Sequence, residues 1–284
     1  MTQAPMRDAI RRLRLYYKSR PLFEQVLADP QVARWLPFRR RGARAEIRWK
    51  DGGAWTIEAR NWSHLPSACR LHRAGIEFDF LDDAKRIRVD GLTLYSPLWA
   101  REEASYYRET LCDDVYGVKG SDLAGATVID VGAYVGDTTL AFARQGATVH
   151  AFEPSAAFCG FIRRNLEANR LGERVTLHPV GLAERAGTRR TANDTLNFVA
   201  GPDYAIEHLP RGAEMLKLDC EGAEYALLAD PRFLAHLRPR SIRMEYHAGP
   251  DPLVRHLERD GYRVDPAPCT SPVGLLAATR RVAA

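Results

Sequence analysis

Residues 126–154, ATVIDVGAYVGDTTLAFARQGATVHAFEP, limit the fold more than any other stretch. Val128, Ile129 and Val131 make a short apolar run that reads as a buried strand, and Gly132 and Gly136 follow at once. GDTTLAFARQG then has helical spacing and stops at Gly146, and ATVHAFEP returns to strand character. Strand, glycine turn, helix and strand in quick succession make a parallel crossover unit, because parallel neighbours need a long connection between them.

The alternation continues. SAAFCGFIRRNLEANRLG starts at Ser155 as an N-cap, carries Phe158, Phe161, Ile162 and Leu166 on one face, and is followed by Gly172. RVTLHPVG, EMLKLD (214–219) and SIRMEYH (241–247) read as strands, EGAEYALLAD and DPLVRHLERDG as helices, the latter with Asp251 as N-cap and Pro252 in its first turn. YRVDP and VGLLAATR read as a closing hairpin. The class is α/β, a mostly parallel sheet covered on both faces. Ligands in such sheets sit outside the carboxyl ends of the strands. That rule singles out residues 130–136, Glu153, residues 219–221 and residues 245–247.

Ahead of this region the pattern is different. Residues 6–30 read as two short amphipathic helices parted at Pro21. From about residue 45 the period becomes two: AEIRW and AWTIEAR flank Asp51-Gly52-Gly53 as a hairpin, and strand patterns follow at 76–80, 86–90 and 92–96. The expected division is a basic helical segment at 1–44, a small antiparallel β-rich region with a linker at 45–118, and a ligand-binding domain at 119–284.

Residues 1–50 hold 13 Lys/Arg against 4 Asp/Glu, net +9, and the other 234 residues hold 28 against 32, net −4. Such a front end suits a solvated helix face or an anionic partner. The cysteines at 69, 112, 159, 220 and 269 are odd in number and include no CxxC pair, which argues against a disulfide framework and a structural zinc site. Arginines occupy the place of a signal peptide's apolar core, and no stretch is long and apolar enough to span a membrane. The expectation is a cytoplasmic protein.

The strand ends carry the chemistry. Asp130-Val-Gly132-Ala133-Tyr134-Val-Gly136-Asp137 has glycines four apart, not the spacing of a dinucleotide loop, and its two acids are poor company for a diphosphate. They suit a cationic ligand. Glu153, followed by Pro154, ends the second strand, where a carboxylate can hold ribose hydroxyls. Adenosine with a positive charge and no phosphate describes S-adenosylmethionine. The expected cofactor-binding residues are therefore Asp130, Gly132, Ala133, Tyr134, Gly136, Asp137, Glu153, Pro154 and Asp219. Lys217 and Asp219 share one strand face, Glu221 and Glu224 lie in the next helical turn, and Glu245 and His247 share a face of the fifth strand.

TVIDVGAYVGDTTLAFARQGATVHAFEP, LKLDCEGAEYALL and MEYH, in that order and followed by LERDGYRV, resemble the FkbM-type S-adenosylmethionine-dependent methyltransferases over residues 115–265. The resemblance implies a Rossmann-like class I methyltransferase sheet of seven strands with the last antiparallel. It also implies methyl transfer, usually to a hydroxyl oxygen on a sugar, polyketide or other small molecule. The β-rich region 45–97 is similar to a leader found in some members, and the segment 182–213 is shorter than in many.

Such a reaction needs the acceptor oxygen aligned with the methyl carbon, water excluded and a proton accepted. The candidate catalytic residues are His247, Asp219, Glu221, Lys217 and Glu245, with His247 as base because its ordinary pKa suits neutral pH. Asp219, Glu221 and Glu245 offer carboxylates to a magnesium ion but form no decisive ligand set, so no metal is expected. The partner is a small-molecule hydroxyl acceptor. Two alternatives differ in class. One is an RNA ribose methyltransferase that uses the basic N-terminal segment; methylation of a base amine would call for an Asn/Asp-Pro-Pro-Tyr/Phe turn where this chain has Asp219-Cys220-Glu221-Gly222. The other is a non-catalytic nucleotide-binding module.

Overall fold

The structure is a computed structural model that describes residues 3–40, 42–100, 103–191, 194–265 and 271–281. Its contacts divide the chain into one unit of Met1–Arg88 with Pro97–Arg108 and a second of Val89–Ser96 with Glu109–Ala284. Cys69, Cys112, Cys159 and Cys220 are free thiols, and Cys269 lies outside the described residues.

In the first unit α1 (Gln3–Val26) runs through Pro21 as one helix, where the sequence predicts two. A proline inside a helix removes one N–H and costs about 3 kcal/mol. Tyr16, Phe23 and Val26 are buried in one cluster with Ile47, Trp49, Ile57 and Trp62. At about 1.5–3 kcal/mol for each large apolar side chain, that burial outweighs the proline. After α2 (Gln31–Trp35), β1 (Arg44–Arg48) pairs antiparallel with β2 (Ala54–Glu58), from Arg44↔Glu58 to Arg48↔Ala54. Gly52 and Gly53 close the turn at φ 101° and 80°, as the sequence predicts. Next comes α3 (Leu65–Arg73), a helix absent from the sequence reading, which buries Leu65, Ala68, Cys69 and Leu71. β3 (Glu77–Phe80) and β4 (Ala84–Val89) then pair antiparallel. Residues 45–97, read from the sequence as one small sheet, thus hold two sheets with α3 between them in the chain. β5 (Leu92–Pro97) and α4 (Glu103–Tyr107) follow.

The second unit begins with β6 (Thr127–Val131), α5 (Asp137–Arg144), β7 (Thr148–Phe152), α6 (Ala156–Asn169) and β8 (Val175–His178). β9 (Gly181–Ala183), β10 (Gly187–Arg190), β11 (Thr195–Ala200) and α7 (Gly201–His208) fill the next connection with a second small sheet, which the sequence reading left unassigned. β12 (Met215–Leu218), α8 (Ala223–Ala229), α9 (Pro231–Leu237), β13 (Ser241–Tyr246), α10 (Asp251–Arg259), β14 (Tyr262–Val264) and β15 (Gly274–Arg280) complete it. Pro250, not Asp251, holds the cap position of α10.

The main sheet has the order β14-β15-β13-β12-β6-β7-β8. β6 is parallel to β7 and β12, and β15 is antiparallel to both of its neighbours. This is the Rossmann-like sheet that the sequence predicts, with seven strands and the last antiparallel. Ile129, Val131, Leu216, Leu218, Ile242 and Met244 bury its centre against Leu227 and Leu253. The chain leaves β6 toward β7 and β8 and returns to β12 on the other side. That switch opens the crevice at the carboxyl ends of β6 and β12.

Two asparagines pin β5, whose residues 92–96 belong to this unit. Asn165 donates to the Tyr95 carbonyl at 3.0 Å and accepts the Tyr95 N–H at 2.6 Å. Asn169, one turn on, donates to the Thr93 carbonyl at 2.7 Å and accepts the Thr93 N–H at 3.0 Å. Ser155 caps α6 as predicted, its hydroxyl accepting the Phe158 N–H at 3.1 Å. Among the described residues no helix is long and apolar enough to cross a membrane.

Candidate active site

Gly132 follows β6 at φ 86°, and a Cβ built there would stand 1.7 Å from the carbonyl oxygen of Asp219. The missing side chain thus lets two strand ends meet. The N–H groups of Gly132 and Ala133 both donate to the Phe152 carbonyl at 3.0 Å, which ties this loop to the end of β7 as well. Tyr134, at φ 52°, donates its N–H to Glu153 at 2.9 Å and sets its ring edge-on to Phe158, centroids 4.6 Å apart. Gly136 starts α5 from the left-handed region at φ 89°.

Glu153 holds this loop from the far side. One carboxylate oxygen accepts the Tyr134 N–H and the other accepts the Ser155 N–H at 2.8 Å. Burial pushes its carboxyl up to about 7, against the pull of those two N–H groups. Pro154 follows, its carbonyl accepting the Asn197 N–H at 3.1 Å.

Three of the residues expected to bind a cofactor have covered side chains. Ala133 and Asp130 have no exposed surface, and Asp137 is buried. One Asp130 oxygen accepts from the hydroxyls of Thr138 and Thr139 at 2.9 and 2.6 Å, and the other stands 3.2 Å from Lys217 Nζ. A carboxylate so enclosed meets Lys217 rather than a bound cation. Asp137 accepts from Thr110 at 2.7 Å, and burial pushes its carboxyl up.

Lys217, expected among the catalytic residues, is buried beside Asp130. It faces Asp130 across the β6–β12 register and donates to the Gly132 carbonyl at 2.7 Å. Burial works against its charge, but Asp130, then Asp219 and Asp137, outweigh that and hold the ammonium above the ordinary lysine range. That hydrogen bond ties the glycine loop to β12.

The remaining candidates converge. Asp219 accepts from the Tyr116 hydroxyl at 3.0 Å. His247 Nε2 stands 4.0 Å from Asp219 and 3.8 Å from the exposed Glu221, while Nδ1 is 3.0 Å from Glu224. Glu224 has no exposed surface and also accepts the Gly222 N–H at 2.9 Å. With Nδ1–H donated to Glu224, Nε2 is the nitrogen left to take a proton. Burial lowers the His247 pKa, yet Glu224, Glu221 and Asp219 together raise it above the ordinary value. Glu245 lies beside them, its carboxyl pushed up by burial and by Asp219. One ligand atom each from Asp219, Glu245 and His247 lies within 4.8 Å of the others, close enough to share a metal ion.

Glu224, Tyr116, Thr138 and Thr139 are the residues whose roles the sequence reading lacked. Glu224 was visible only as one of three acids near a helix start. Tyr116 lies 103 positions from its partner, and no spacing signals it.

No family model matches the chain, and no curated protein matches it in sequence. Solved structures do. The ribosomal protein L11 methylase of Lactobacillus delbrueckii subsp. bulgaricus aligns over 59% of this chain and 76% of its own, at 15% identity and TM-score 0.41. Precorrin-6y C5,15-methyltransferase of Geobacter metallireducens aligns over 60% and 90%, at 17% and 0.42. Magnesium protoporphyrin IX methyltransferase of Synechocystis, with bound S-adenosylmethionine, aligns over 63% and 82%, at 14% and 0.42.

Proposed function

We propose that the chain is an S-adenosylmethionine-dependent methyltransferase of FkbM-like type that methylates a hydroxyl oxygen on a sugar or other small molecule, in the cytoplasm. The observation that carries this reading is the His247–Glu224 pair at the crevice, with Nε2 turned toward Asp219 and Glu221.

The residues suit the cofactor. Glu153, at the end of β7, offers a carboxylate to ribose hydroxyls. Asp219, Glu221 and Glu245 give the crevice a negative lining for a sulfonium. When bound, the cofactor supplies an electrophilic methyl carbon. The chain's part is to hold the acceptor oxygen in line with that carbon and to take its proton on His247 Nε2. Glu224, 3.0 Å from Nδ1, would then stabilise the imidazolium that forms when Nε2 takes the acceptor's proton.

A metal-assisted version would use the cluster of Asp219, Glu245 and His247. Lys217 Nζ stands 3.8 Å from Asp219, and a second cation there would be repelled. We therefore keep the reading without metal, and a chelator should leave the rate unchanged. The RNA reading is less favoured because Asp219, Glu221 and Glu245 gather acid at the crevice, which repels a phosphate backbone. The test is calorimetry with S-adenosylmethionine and NAD, followed by mass spectrometry for methylated products from a panel of hydroxylated acceptors. Binding of NAD alone would overturn the cofactor, and binding without transfer to any hydroxyl would overturn the acceptor class.

A further inference from the structure

The first unit contains a cavity of about 920 Å³, and none of its lining residues belongs to the site described above. Four cationic side chains line it: Lys18 of α1, Arg70 and Arg73 of α3, and Arg108. Among the described residues no aspartate or glutamate does. The imbalance extends to the whole unit, which holds 21 basic residues against 12 acidic. Arg73 is oriented by Gln25 at 3.1 Å, a neutral acceptor that fixes the guanidinium without neutralising it. The rest of the wall is mixed. Leu22 and the half-exposed Trp99 add apolar surface.

These features select a ligand class. An ammonium and three guanidinium groups gathered around one concavity favour an anion of several charges. Guanidinium groups match phosphate in geometry and bind it two hydrogen bonds at a time. An indole face accepts a flat ring. The volume lies at the size of a small-ligand pocket, roughly 300–1,000 Å³. A nucleic-acid strand would instead call for cations laid out along a groove.

We propose that this cavity binds a nucleotide-sized organic polyphosphate, with its phosphates on Lys18, Arg70, Arg73 and Arg108 and its ring against Trp99 and Leu22. The site stands apart from the methyl-transfer reading, because its lining and its ligand are different.

The test is calorimetry on the full chain at about 0.15 M salt, where screening removes weak nonspecific attraction. The probes are ADP, adenosine, inorganic pyrophosphate and a single-stranded RNA of about twelve nucleotides. ADP should bind more tightly than adenosine or pyrophosphate alone. The double variant Lys18→Glu with Arg73→Glu changes two exposed side chains, and unchanged circular dichroism would show it folded. It should weaken ADP at least tenfold, about 1.4 kcal/mol. Arg108→Glu should weaken ADP in the same direction. Saturating S-adenosylhomocysteine should leave ADP binding as it was. The proposal is overturned by absence of ADP binding, by charge-reversed variants that bind ADP as the parent does, or by displacement of ADP with S-adenosylhomocysteine, which would place it in the second unit. RNA bound through the same residues more than tenfold tighter than ADP would make the surface a strand interface and overturn it too.

Discussion

His247 Nδ1 lies 3.0 Å from Glu224 Oε1, and the backbone N–H of His247 reaches the same oxygen at 3.2 Å. One buried carboxylate thus fixes both the ring and the chain that carries it, and Nε2 is left facing the crevice. The paired acids raise the His247 pKa against the effect of burial. A base must first lose its proton, so the methyl-transfer rate should climb with pH through a midpoint above the ordinary histidine value of about 6.5. His247→Ala should lower kcat by about 10²–10⁴-fold with little change in S-adenosylmethionine affinity. Single-turnover methylation across pH measures both. A full-rate variant would move the proton to Glu221 or Asp219.

Glu224→Gln keeps an acceptor for Nδ1–H and removes the charge. The midpoint of the pH–rate profile should therefore fall toward the ordinary value. Stability follows the same sign. A histidine whose folded pKa is raised contributes stability that is full below its unfolded pKa and is lost as pH rises through the folded one. The stability gap between parent and Glu224→Gln, read by urea denaturation, should shrink from about pH 6 to pH 9. A gap that widens would show that the folded protein does not favour the imidazolium.

Gly132 gives a prediction that differs from the one its sequence invites. DxGxxxG suggests that a side chain at Gly132 would only block a ligand and leave the fold intact. The Asp219 carbonyl at 1.7 Å from the absent Cβ means that the strand ends themselves must part. Gly132→Ala should cost about 2–5 kcal/mol from left-handed strain and overpacking together. Gly136→Ala meets side chains rather than backbone, a Leu140 methyl at 3.1 Å and Ile162 carbons at 3.4 and 3.5 Å. It should cost about 1–2 kcal/mol for its left-handed backbone. Urea midpoints compare the two, and equal losses would refute the contact.

Much of the second unit was legible because its signals are local. The run Val128–Val131, the stop at Gly146 and the cap at Ser155 are each decided by neighbours in sequence, and each strand end marks itself. What was not legible depends on pairs far apart. Asp130 looked like a ligand group because it ends a strand, but only the β6–β12 register shows Lys217 beside it. At Pro21 the sequence shows the proline's cost and hides the burial of Phe23 and Val26 that offsets it. Glu224 looked like helix capping until β13 brought His247 against it.

The Lys217–Asp130 pair shares almost no surface with solvent, side chains 2% and 0% exposed. Lys217→Met leaves Asp130 as an unpaired buried charge and should cost about 3–5 kcal/mol. Asp130→Asn should be as harmful for the mirror reason, so it is not the mild loss of a ligand contact that the strand-end position suggests. Asp130→Asn combined with Lys217→Met removes both charges and should regain part of the loss. If the double variant is as unstable as the sum of the two single changes, the pair is not coupled.

Glu153 carries the last prediction. Burial holds its carboxyl at about 7, although the Ser155 and Tyr134 N–H groups favour the ionised form. A raised carboxyl means that the folded chain keeps its proton longer than the unfolded one does. Its contribution to stability is therefore present below the ordinary glutamate range, about 4.3, and is lost as pH rises through about 7. Ribose hydroxyls donate to the ionised carboxylate, so binding must draw the proton off. Affinity for S-adenosylmethionine should fall about tenfold for each pH unit below 7 and level off above it. Glu153→Gln should abolish that dependence and weaken binding by about ten- to a hundred-fold, the worth of hydrogen bonds to a charged group at about 1.5–3 kcal/mol. S-adenosylhomocysteine should lose as much, because it carries the same ribose. Calorimetry between about pH 5.5 and 8 tests both ligands against parent and variant. Affinity flat across that range in the parent, or a loss confined to one ligand, would remove Glu153 from the ribose.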